Sequence, residues 1–158
     1  MSTIEKLAIR GIRAFAPSEE QKIEFGKPLT LILGQNGAGK TTIIESLQVM
    51  TSGTMPPNTH GGRDFIHDPN ISNLPETKGS IKAKLTTCNG REIFAMRTYL
   101  LQNRRHKQEF KKTEALLKGK DENGNPVSIN KNCADMDKQV PLLMGVSNAI
   151  LENVIFCH

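Results

Sequence analysis

The chain of 158 residues has 37% hydrophobic and 23% charged side chains, a globular composition that excludes simple disorder. It contains no apolar run near the roughly 18 residues of a membrane span, and its N-terminus lacks the apolar core of a secretory signal. Its three cysteines form no Cys-x-x-Cys pair, so the sequence favours a reducing compartment and a fold without disulfides.

Three β-strands are predicted near the N-terminus. Apolar and polar side chains alternate over residues 3–12, with one slip at Lys6-Leu7, and residues 21–25 form a second short strand pattern. The continuous apolar run at residues 29–33 is typical of a strand that is buried on both faces.

A helix is predicted over residues 41–50, and a long irregular stretch follows it. The apolar side chains at helical spacing are Ile43, Ile44, Leu47 and Met50, while Glu45, Ser46 and Gln48 are predicted to face away from the core. Residues 52–80 hold four glycines and four prolines. A connection of this length inside a compact domain is usually functional or disordered.

The second half of the chain begins with a predicted hairpin. Strands at 81–87 and 92–102 flank Asn89-Gly90, a strong hairpin signal, and residues 110–117 fit either a third strand or a short helix. Short helices are predicted at 134–144 and 147–152, with Ser147 as N-cap of the latter. The last residues, 153–158, have a buried-strand pattern that stops without a turn or cap, which suggests a truncated chain.

One motif identifies a phosphate site. Residues 34–42, GQNGAGKTT, match G-x-x-x-x-G-K-[ST] between a predicted strand and a predicted helix. The glycines allow successive backbone N–H groups to point inward at the helix N-terminus and hold phosphate. Lys40 and Thr41 are the predicted catalytic residues: the lysine reaches the β- and γ-phosphates, and the threonine hydroxyl binds magnesium. The loop residues predicted to bind nucleotide are Asn36, Gly37, Ala38, Gly39, Lys40, Thr41 and Thr42.

Four segments of the chain resemble one family. The loop GQNGAGKTTIIESL is similar to those of ABC-type ATPases of the SMC and RecN-like group. The segments IEKLAIRGIRAF, GRDFIHDP and VSNAILENVIFCH resemble more specifically the eukaryotic SMC-like ATPase family of the MRN/MRX double-strand-break repair complex, Rad-fifty. The resemblance spans all 158 residues and covers the N-terminal half of that family's ATPase head.

This resemblance implies an α/β fold, namely a P-loop NTPase of ABC/SMC type. Its N-terminal lobe has a mainly antiparallel sheet, here residues 1–27 and 80–118, beside the P-loop strand and helix. Residues 1–158 would then be an incomplete N-terminal lobe. In the family, the Q-loop glutamine follows IFCH directly, and the C-terminal lobe, coiled coil and zinc hook lie further on.

Three residues outside the loop are also implied to contact nucleotide. By resemblance, Arg13 points at the phosphates, and Ile66 and Asp68 contact the adenine or ribose. The simpler alternatives are a solvated arginine at a strand end and a loop anchored by Phe65 and Ile66, with Asp68 in a turn. His67 is predicted to be a packing or surface histidine rather than a catalytic base.

The excess positive charge is concentrated in one segment. Residues 104–120 contain seven basic and two acidic side chains, and they therefore account for the whole net charge of +5 of the chain. Such a patch suggests a polyanionic partner, and its single aromatic residue argues against base stacking. The predicted DNA-binding candidates are Arg104, Arg105, Lys107, Lys111 and Lys112, the alternative being a solvated hairpin face.

The family resemblance also implies cofactors and partners. ATP and magnesium are the expected cofactors, with zinc only in the hook region outside these residues. Cys157 and His158 would point to opposite faces of a strand and could not chelate one ion together. The implied partners are the complementary C-terminal half, a second head in an ATP-dependent homodimer, the nuclease subunit of the MRN/MRX complex and double-stranded DNA, with no membrane.

The function implied is ATP hydrolysis by the complete head, coupled to double-strand-break repair, telomere maintenance and meiosis on nuclear chromosomes. No Walker B acidic pair follows the apolar run Val154–Phe156, so this chain alone is expected to be inactive. The alternatives are another SMC- or RecN-like chromosome ATPase and a P-loop small-molecule kinase. A kinase loop usually follows the first strand, whereas here two strands are predicted before the strand that leads into the loop.

Overall fold

The computed structural model describes residues 1–120, 123–130, 133–151 and 155, with backbone alone for residues 129, 130 and 148. One antiparallel sheet has the strand order β2-β1-β3-β4-β5-β6. The strands are β1 Thr3–Arg10, β2 Gln21–Glu24, β3 Glu76–Thr86, β4 Glu92–Arg104, β5 Lys107–Lys120 and β6 Pro126–Asn130. The helices are α1 Lys40–Ser52, α2 Cys133–Met144 and α3 Asn148–Ile150, and a 3₁₀ helix covers His60–Phe65.

The core lies on one face of this sheet. Buried and half-buried side chains alternate along β3 and β4, as expected for strands with one covered face. The two longer helices pack on the buried face, α1 against β3 and β4 and α2 against β5. The predicted α/β lobe with a mainly antiparallel sheet is therefore confirmed.

The strand register follows the sequence signals. The slip in alternation at Lys6-Leu7 corresponds to an irregularity between Ile4 and Lys6, where β1 pairs with β3. The segment that fitted either strand or helix is part of β5, which pairs with β4 along its length. The predicted N-cap is confirmed, because the Ser147 hydroxyl accepts a hydrogen bond from the Ile150 N–H at 3.3 Å. Most of the predicted final strand, 153–158, lies outside the described residues.

The predicted buried strand at residues 29–33 is wrong for this structure. Leu29, Leu31 and Leu33 are 80%, 75% and 81% exposed, whereas Thr30 and Ile32 are half-buried. A strand needs a neighbouring backbone to complete its hydrogen bonds. No strand of the described residues pairs with this segment. The alternation nevertheless leaves three leucines exposed in the segment that immediately precedes the phosphate loop in the chain.

The predicted orientation of α1 is also partly wrong. Ile44 is 47% exposed, whereas Glu45, Ser46 and Gln48 are almost fully buried. The sheet and α2 both contact this helix, so most of its circumference is covered. Among these polar side chains, Glu45 pairs with Arg13, whereas Ser46 Oγ and Gln48 Oε1 make no hydrogen bond among the described residues. The Thr51 hydroxyl donates to the Leu47 carbonyl at 2.9 Å.

A buried arginine joins the two long helices. Arg97 on β4 is 2% exposed, and its Nη1 lies 2.5 Å from Oδ1 of Asp137 on α2. Its Nε donates to the Met50 carbonyl in the last turn of α1, at 3.2 Å. The helix ends close beside this pair, since a Cβ on Gly53 would lie 2.0 Å from Asp137 Oδ1. A single guanidinium thus connects α1, β4 and α2.

We expect Asp137→Ala to lower the free energy of unfolding by about 3 kcal/mol, because it leaves the buried Arg97 charge without its carboxylate. The value lies at the low end for a buried pair because the Asp137 side chain is 31% exposed. Urea unfolding measures the loss. Glu24→Ala, which breaks the exposed pair with Lys6, is the control and should have a much smaller effect. Equal losses in both variants would contradict a special role for Arg97.

Candidate functional site: the phosphate loop and its flank

The phosphate loop has the backbone geometry that its glycines predict. Gly37 and Gly39 have φ of +84° and +90°, in the left-handed region that favours glycine. Gly39 is further restricted, because a Cβ there would lie 2.9 Å from Cζ of Phe15. The backbone hydrogen bonds of α1 begin directly at the end of the loop, where the Ile43 N–H donates to the Gly39 carbonyl at 3.1 Å. The positive end of the helix dipole is therefore directed at the loop.

Lys40 folds back over this loop. Its Nζ donates to the carbonyls of Gly34 at 2.5 Å and Gln35 at 2.8 Å. The loop from Gly34 to Ala38 is exposed. The ammonium therefore lies at the open mouth of the loop. A phosphate oxygen can replace the two carbonyls as the hydrogen-bond acceptor for Lys40.

The loop fits a nucleotide-bound magnesium ion better than a protein-caged metal. Thr41, the second residue of α1, is exposed and offers one hydroxyl oxygen. In the described part of the chain, no group of three or more histidine, cysteine, aspartate or glutamate side chains could hold a metal. Magnesium is usually held by one or two protein oxygens together with phosphates and water. Cys157 and His158 lie outside the described residues.

Arg13 is brought to the flank of α1 by an unusual backbone conformation. Its φ is +46°, which is uncommon for a residue with a side chain. Its N–H donates to the Phe65 carbonyl at 3.0 Å, and its guanidinium lies 5.9 Å from the Phe65 ring centre. Its Nη2 lies 2.9 Å from Oε1 of Glu45, one helical turn beyond Thr41. The structure therefore brings Arg13 to the same helix that carries the loop threonine.

Ile66 and Asp68 line one shallow cavity together with Arg13. The cavity has a volume of about 360 Å³. Ile66 is buried and presents a small apolar part of the wall, whereas Asp68 is half-buried. Asp68 Oδ1 accepts hydrogen bonds from the Asn70 N–H and from Gln108 Nε2, both at 3.0 Å. The residues that line the cavity are Arg13, Arg63, Asp64, Ile66, Asp68, Ile71, Leu101 and Gln108.

The basic segment forms the end of the β4–β5 hairpin. Arg104 pairs with Lys107 across the turn, and Arg105 is exposed in the turn itself. Glu109 lies among these cations, 3.1 Å from both Arg104 Nε and Lys111 Nζ. The hydrogen bond from Lys111, with help from the charges of Lys111 and Arg104, lowers the pKa of Glu109. Glu109 is therefore ionised at neutral pH and offsets part of the patch.

The structure separates one DNA-binding candidate from the others. Lys112 pairs with Tyr99, whose side chain is on the buried face of the sheet. Its Nζ lies 3.3 Å from the Gly53 carbonyl at the end of α1. Lys111 pairs with Leu100 and faces the open side. The patch that remains together on the hairpin end is Arg104, Arg105, Lys107 and Lys111.

Comparison with known proteins assigns the lobe to a family. The AAA domain model matches residues 6–158. The chain belongs to the AAA domain family. It is 47% identical over 159 residues to DNA repair protein RAD50 of Arabidopsis thaliana and 49% identical over 159 residues to that of Dictyostelium discoideum. Each alignment covers 100% of this chain and 12% of the relative, so the chain spans about an eighth of their length. The resemblance to the Rad-fifty family is confirmed.

A solved structure supports the fold of this AAA domain. A chain from work on ATP-driven dimerization and DNA stimulated activation of SMC ATPases superposes with a TM-score of 0.64 at 17% identity. The superposition covers 96% of this chain and 84% of that one. At this identity the likeness shows the fold alone. In the described part of this AAA domain, no helix is long and apolar enough to cross a membrane.

Residues that the sequence did not single out also lie at this candidate site of the AAA domain. Gln108 and Arg63 line the cavity, yet Gln108 is 40 residues from the Asp68 that it contacts. Glu45 was predicted to face away from the core, but it pairs with Arg13. His67, predicted to be a packing or surface histidine, is buried at 6% exposed, and both of its ring nitrogens make hydrogen bonds. For Glu45, the sequence offered one signal of a place at the site: it lies four residues after Thr41, on the helix that follows the loop.

Proposed function

We propose that this chain is the ATP-binding N-terminal lobe of an SMC-like ATPase head that acts in DNA double-strand-break repair. One observation carries the proposal: a complete phosphate loop, with Lys40 at its mouth, lies in a lobe that is similar to RAD50 proteins over its whole length. Those relatives are named DNA repair proteins. The proposed site residues are those of the loop, Asn36 to Thr42, together with Arg13, Ile66 and Asp68.

The loop supports binding of ATP through its phosphates. The exposed N–H groups and the start of α1 supply partial positive charge, and Lys40 adds a full charge at the β- and γ-phosphates. Magnesium, held by Thr41 and by phosphate oxygens, supplies further charge neutralisation during transfer of the phosphoryl group to water. Arg13, 32 residues before Glu45 in sequence but beside α1 in space, is the proposed additional phosphate contact.

The exposed leucines suggest how the head is completed. Leu29, Leu31 and Leu33 present an apolar face immediately before the loop, and each is at least 75% exposed. We assign this face to the complementary C-terminal half of the head, whose strands would supply the pairing partner that residues 29–33 lack in the described structure. That half would also supply the groups that activate water, and a second head would close the site in an ATP-dependent homodimer.

The hairpin end supports a second partner, double-stranded DNA. Arg105 and Lys107 form no ion pair among the described residues, so their charges are available to phosphates. Contacts of this kind hold duplex DNA without reading its bases. Control of a partner nuclease in the MRN/MRX complex, and work on nuclear chromosomes at breaks, at telomeres and in meiosis, complete the proposal by family likeness.

A small-molecule kinase fits the geometry less well. The loop follows two paired strands, β1 and β2, and the lobe contains one broad antiparallel sheet. Another SMC- or RecN-like ATPase would share these features. The whole-length similarity to RAD50 relatives, at 47% and 49% identity, favours the repair ATPase.

Complementation tests this function directly. We expect this chain alone to bind ATP weakly and to turn it over far more slowly than about one per second, the lower range of ordinary enzymes. Addition of the C-terminal half should restore turnover, and duplex DNA should increase it. A coupled phosphate-release assay measures all three conditions.

The exposed leucines supply a matched control. Leu31→Asp should prevent restoration by the C-terminal half, because it places a charge on the apolar face, whereas ATP binding at the loop should persist. Leu142→Asp changes an equally exposed leucine on α2, 74% exposed, and should leave restoration intact. Turnover of about one per second by the chain alone would contradict the proposed division of the head.

A further inference from the structure

The conformation of Arg13 needs an external cause. A residue with a side chain and a φ of +46° persists only where its surroundings fix it. Residues 65–67 provide such surroundings: Arg13 N–H donates to the Phe65 carbonyl, and the His67 N–H donates to the Gly11 carbonyl, both at 3.0 Å. Ile12 and Ile66 form an isolated β-bridge between these two contacts. The Arg13 loop is thus bound along one side by the segment that follows the 3₁₀ helix.

The His67 side chain supplies the remaining contact. Its Nδ1 lies 2.6 Å from the carbonyl oxygen of Arg13 itself. A carbonyl oxygen only accepts, so Nδ1 carries the proton and donates. Its Nε2 lies 2.9 Å from the Ser72 hydroxyl, which can donate to it in a neutral ring. Both polar groups of the Arg13 peptide backbone are therefore held, the N–H by Phe65 and the carbonyl by His67.

This backbone arrangement determines where the guanidinium lies. While the Arg13 carbonyl is held by His67, the side chain lies over the Phe65 ring and reaches Glu45 on α1. Its Nε is buried and makes no hydrogen bond in the described structure. An arginine in the ordinary extended or helical conformation would project elsewhere from the same loop.

We propose that His67 is a positioning residue: its Nδ1–H holds Arg13 in the left-handed conformation and so directs the guanidinium toward α1, the helix that begins at the phosphate loop. The proposal rests on the function proposed above, in which Arg13 contacts the nucleotide phosphates. His67 does not itself reach the nucleotide, because it is 6% exposed and both of its ring nitrogens are engaged. Its action is entirely through Arg13.

Three replacements of His67 distinguish the effect of its Nδ1 hydrogen-bond donor from the effect of its side-chain volume. Asparagine places an amide donor near the position of Nδ1, glutamine places one near Nε2, and phenylalanine keeps a ring without any donor. In the complete protein, hydrogen exchange at the Arg13 amide reports the conformation directly. We expect exchange to be faster by about three- to tenfold in His67→Phe and His67→Gln, the effect of one lost hydrogen bond, and nearly unchanged in His67→Asn. Unchanged exchange in His67→Phe would overturn the proposal.

ATP affinity provides the second readout, in a double-mutant cycle with Arg13→Ala. His67→Phe should weaken ATP binding about three- to tenfold in the wild-type background and have no effect where Arg13 is alanine. Equal losses in both backgrounds would show that His67 acts by general packing and would overturn the proposal. Wild-type ATP affinity in Arg13→Ala alone would instead contradict the function proposed for Arg13, and the exchange measurement would still decide the role of His67.

Ser72→Ala is the matched control, because it removes the partner of Nε2 and leaves the Nδ1 donor in place. Exchange at Arg13 and ATP affinity should both stay within about twofold of wild type, less than the effect of one hydrogen bond. Losses as large as those of His67→Phe would assign the effect to burial of the ring rather than to its Nδ1 donor, and the positioning role would be wrong.

Discussion

Lys40→Ala is expected to abolish ATP-dependent dimerisation of the complete head. The ammonium lies at the mouth of the loop, where its present partners are two backbone carbonyls. A charge-assisted contact to phosphate contributes about 1.5–3 kcal/mol, so its loss should weaken ATP binding by roughly 10- to 150-fold. Since nucleotide would join the two heads, the dimer loses this contact at both of its sites.

Calorimetry with a non-hydrolysable ATP analogue and sedimentation of the head measure these two effects. Lys27→Ala removes another exposed lysine of the same lobe, seven residues before the loop, and is the control. It should bind ATP and dimerise as the wild type does. A Lys40→Ala head that dimerises with ATP as tightly as the wild type would exclude the assigned role.

The loop could be predicted from sequence because its structure is local. Nine consecutive residues contain the glycines, the lysine and the helix start, and the left-handed angles at Gly37 and Gly39 follow from that motif. The β3–β4 hairpin was equally accessible, since Asn89-Gly90 specifies the turn and alternation specifies the buried face. Each of these elements depends on residues that are close together in the chain.

The errors all involve contacts between distant parts of the chain. Hydrophobic periodicity placed Glu45 away from the core, because the pattern contains no information about an arginine 32 residues earlier that pairs with it. The sequence did not single out Arg97, because its partner Asp137 lies 40 residues further along the chain, on α2. The apolar run at 29–33 has the composition of a buried strand, but a strand also requires a neighbour, which composition cannot supply.

Charge counting gave the position of the basic segment but not its internal arrangement. In a strand, neighbouring side chains point to opposite faces, so a run of lysines cannot all meet one partner. Lys111 and Lys112 show this, the first on the open side and the second at the end of α1. A register irregularity between Thr98 and Tyr99 fixes which of them faces outward.

Reversal of Arg104, Arg105 and Lys107 to glutamate should weaken binding of duplex DNA by the ATP-bound head dimer. These side chains lie at the end of the β4–β5 hairpin and are exposed. Each lost phosphate contact reduces the magnitude of the slope of log affinity against log salt by about 0.9, so the slope should become shallower by up to roughly 2.7 for each hairpin that contacts the duplex. Because the dimer presents two hairpins to one duplex, effective concentration magnifies the loss. Fluorescence anisotropy at several salt concentrations measures affinity and slope together.

Glu109 makes the opposite result testable in the same assay. Glu109→Gln removes the carboxylate that pairs with Arg104 and Lys111 at 3.1 Å, so both cations become available to phosphate. We expect tighter DNA binding and a steeper salt dependence, with ATP affinity unchanged. The low pKa of this carboxyl, caused mainly by the hydrogen bond from Lys111, means that it is charged at neutral pH. The gain should therefore be present at pH 7 and shrink only in acid, where the wild-type carboxyl becomes protonated.

A second triple variant with the same change in charge distinguishes the effect of where the charges lie from the effect of the net charge of the lobe. Glutamate at Lys6, Lys22 and Lys27 changes the charge of the lobe by the same six units, but on or beside β1 and β2, at the other end of the strand order. If the hairpin end holds DNA, this variant should keep most of the wild-type affinity and slope. Equal losses in the two triple variants would mean that the overall field of the lobe attracts DNA. Unchanged binding in the hairpin variant, with an ATP dimer present, would place the DNA elsewhere and leave the hairpin end as a solvated surface.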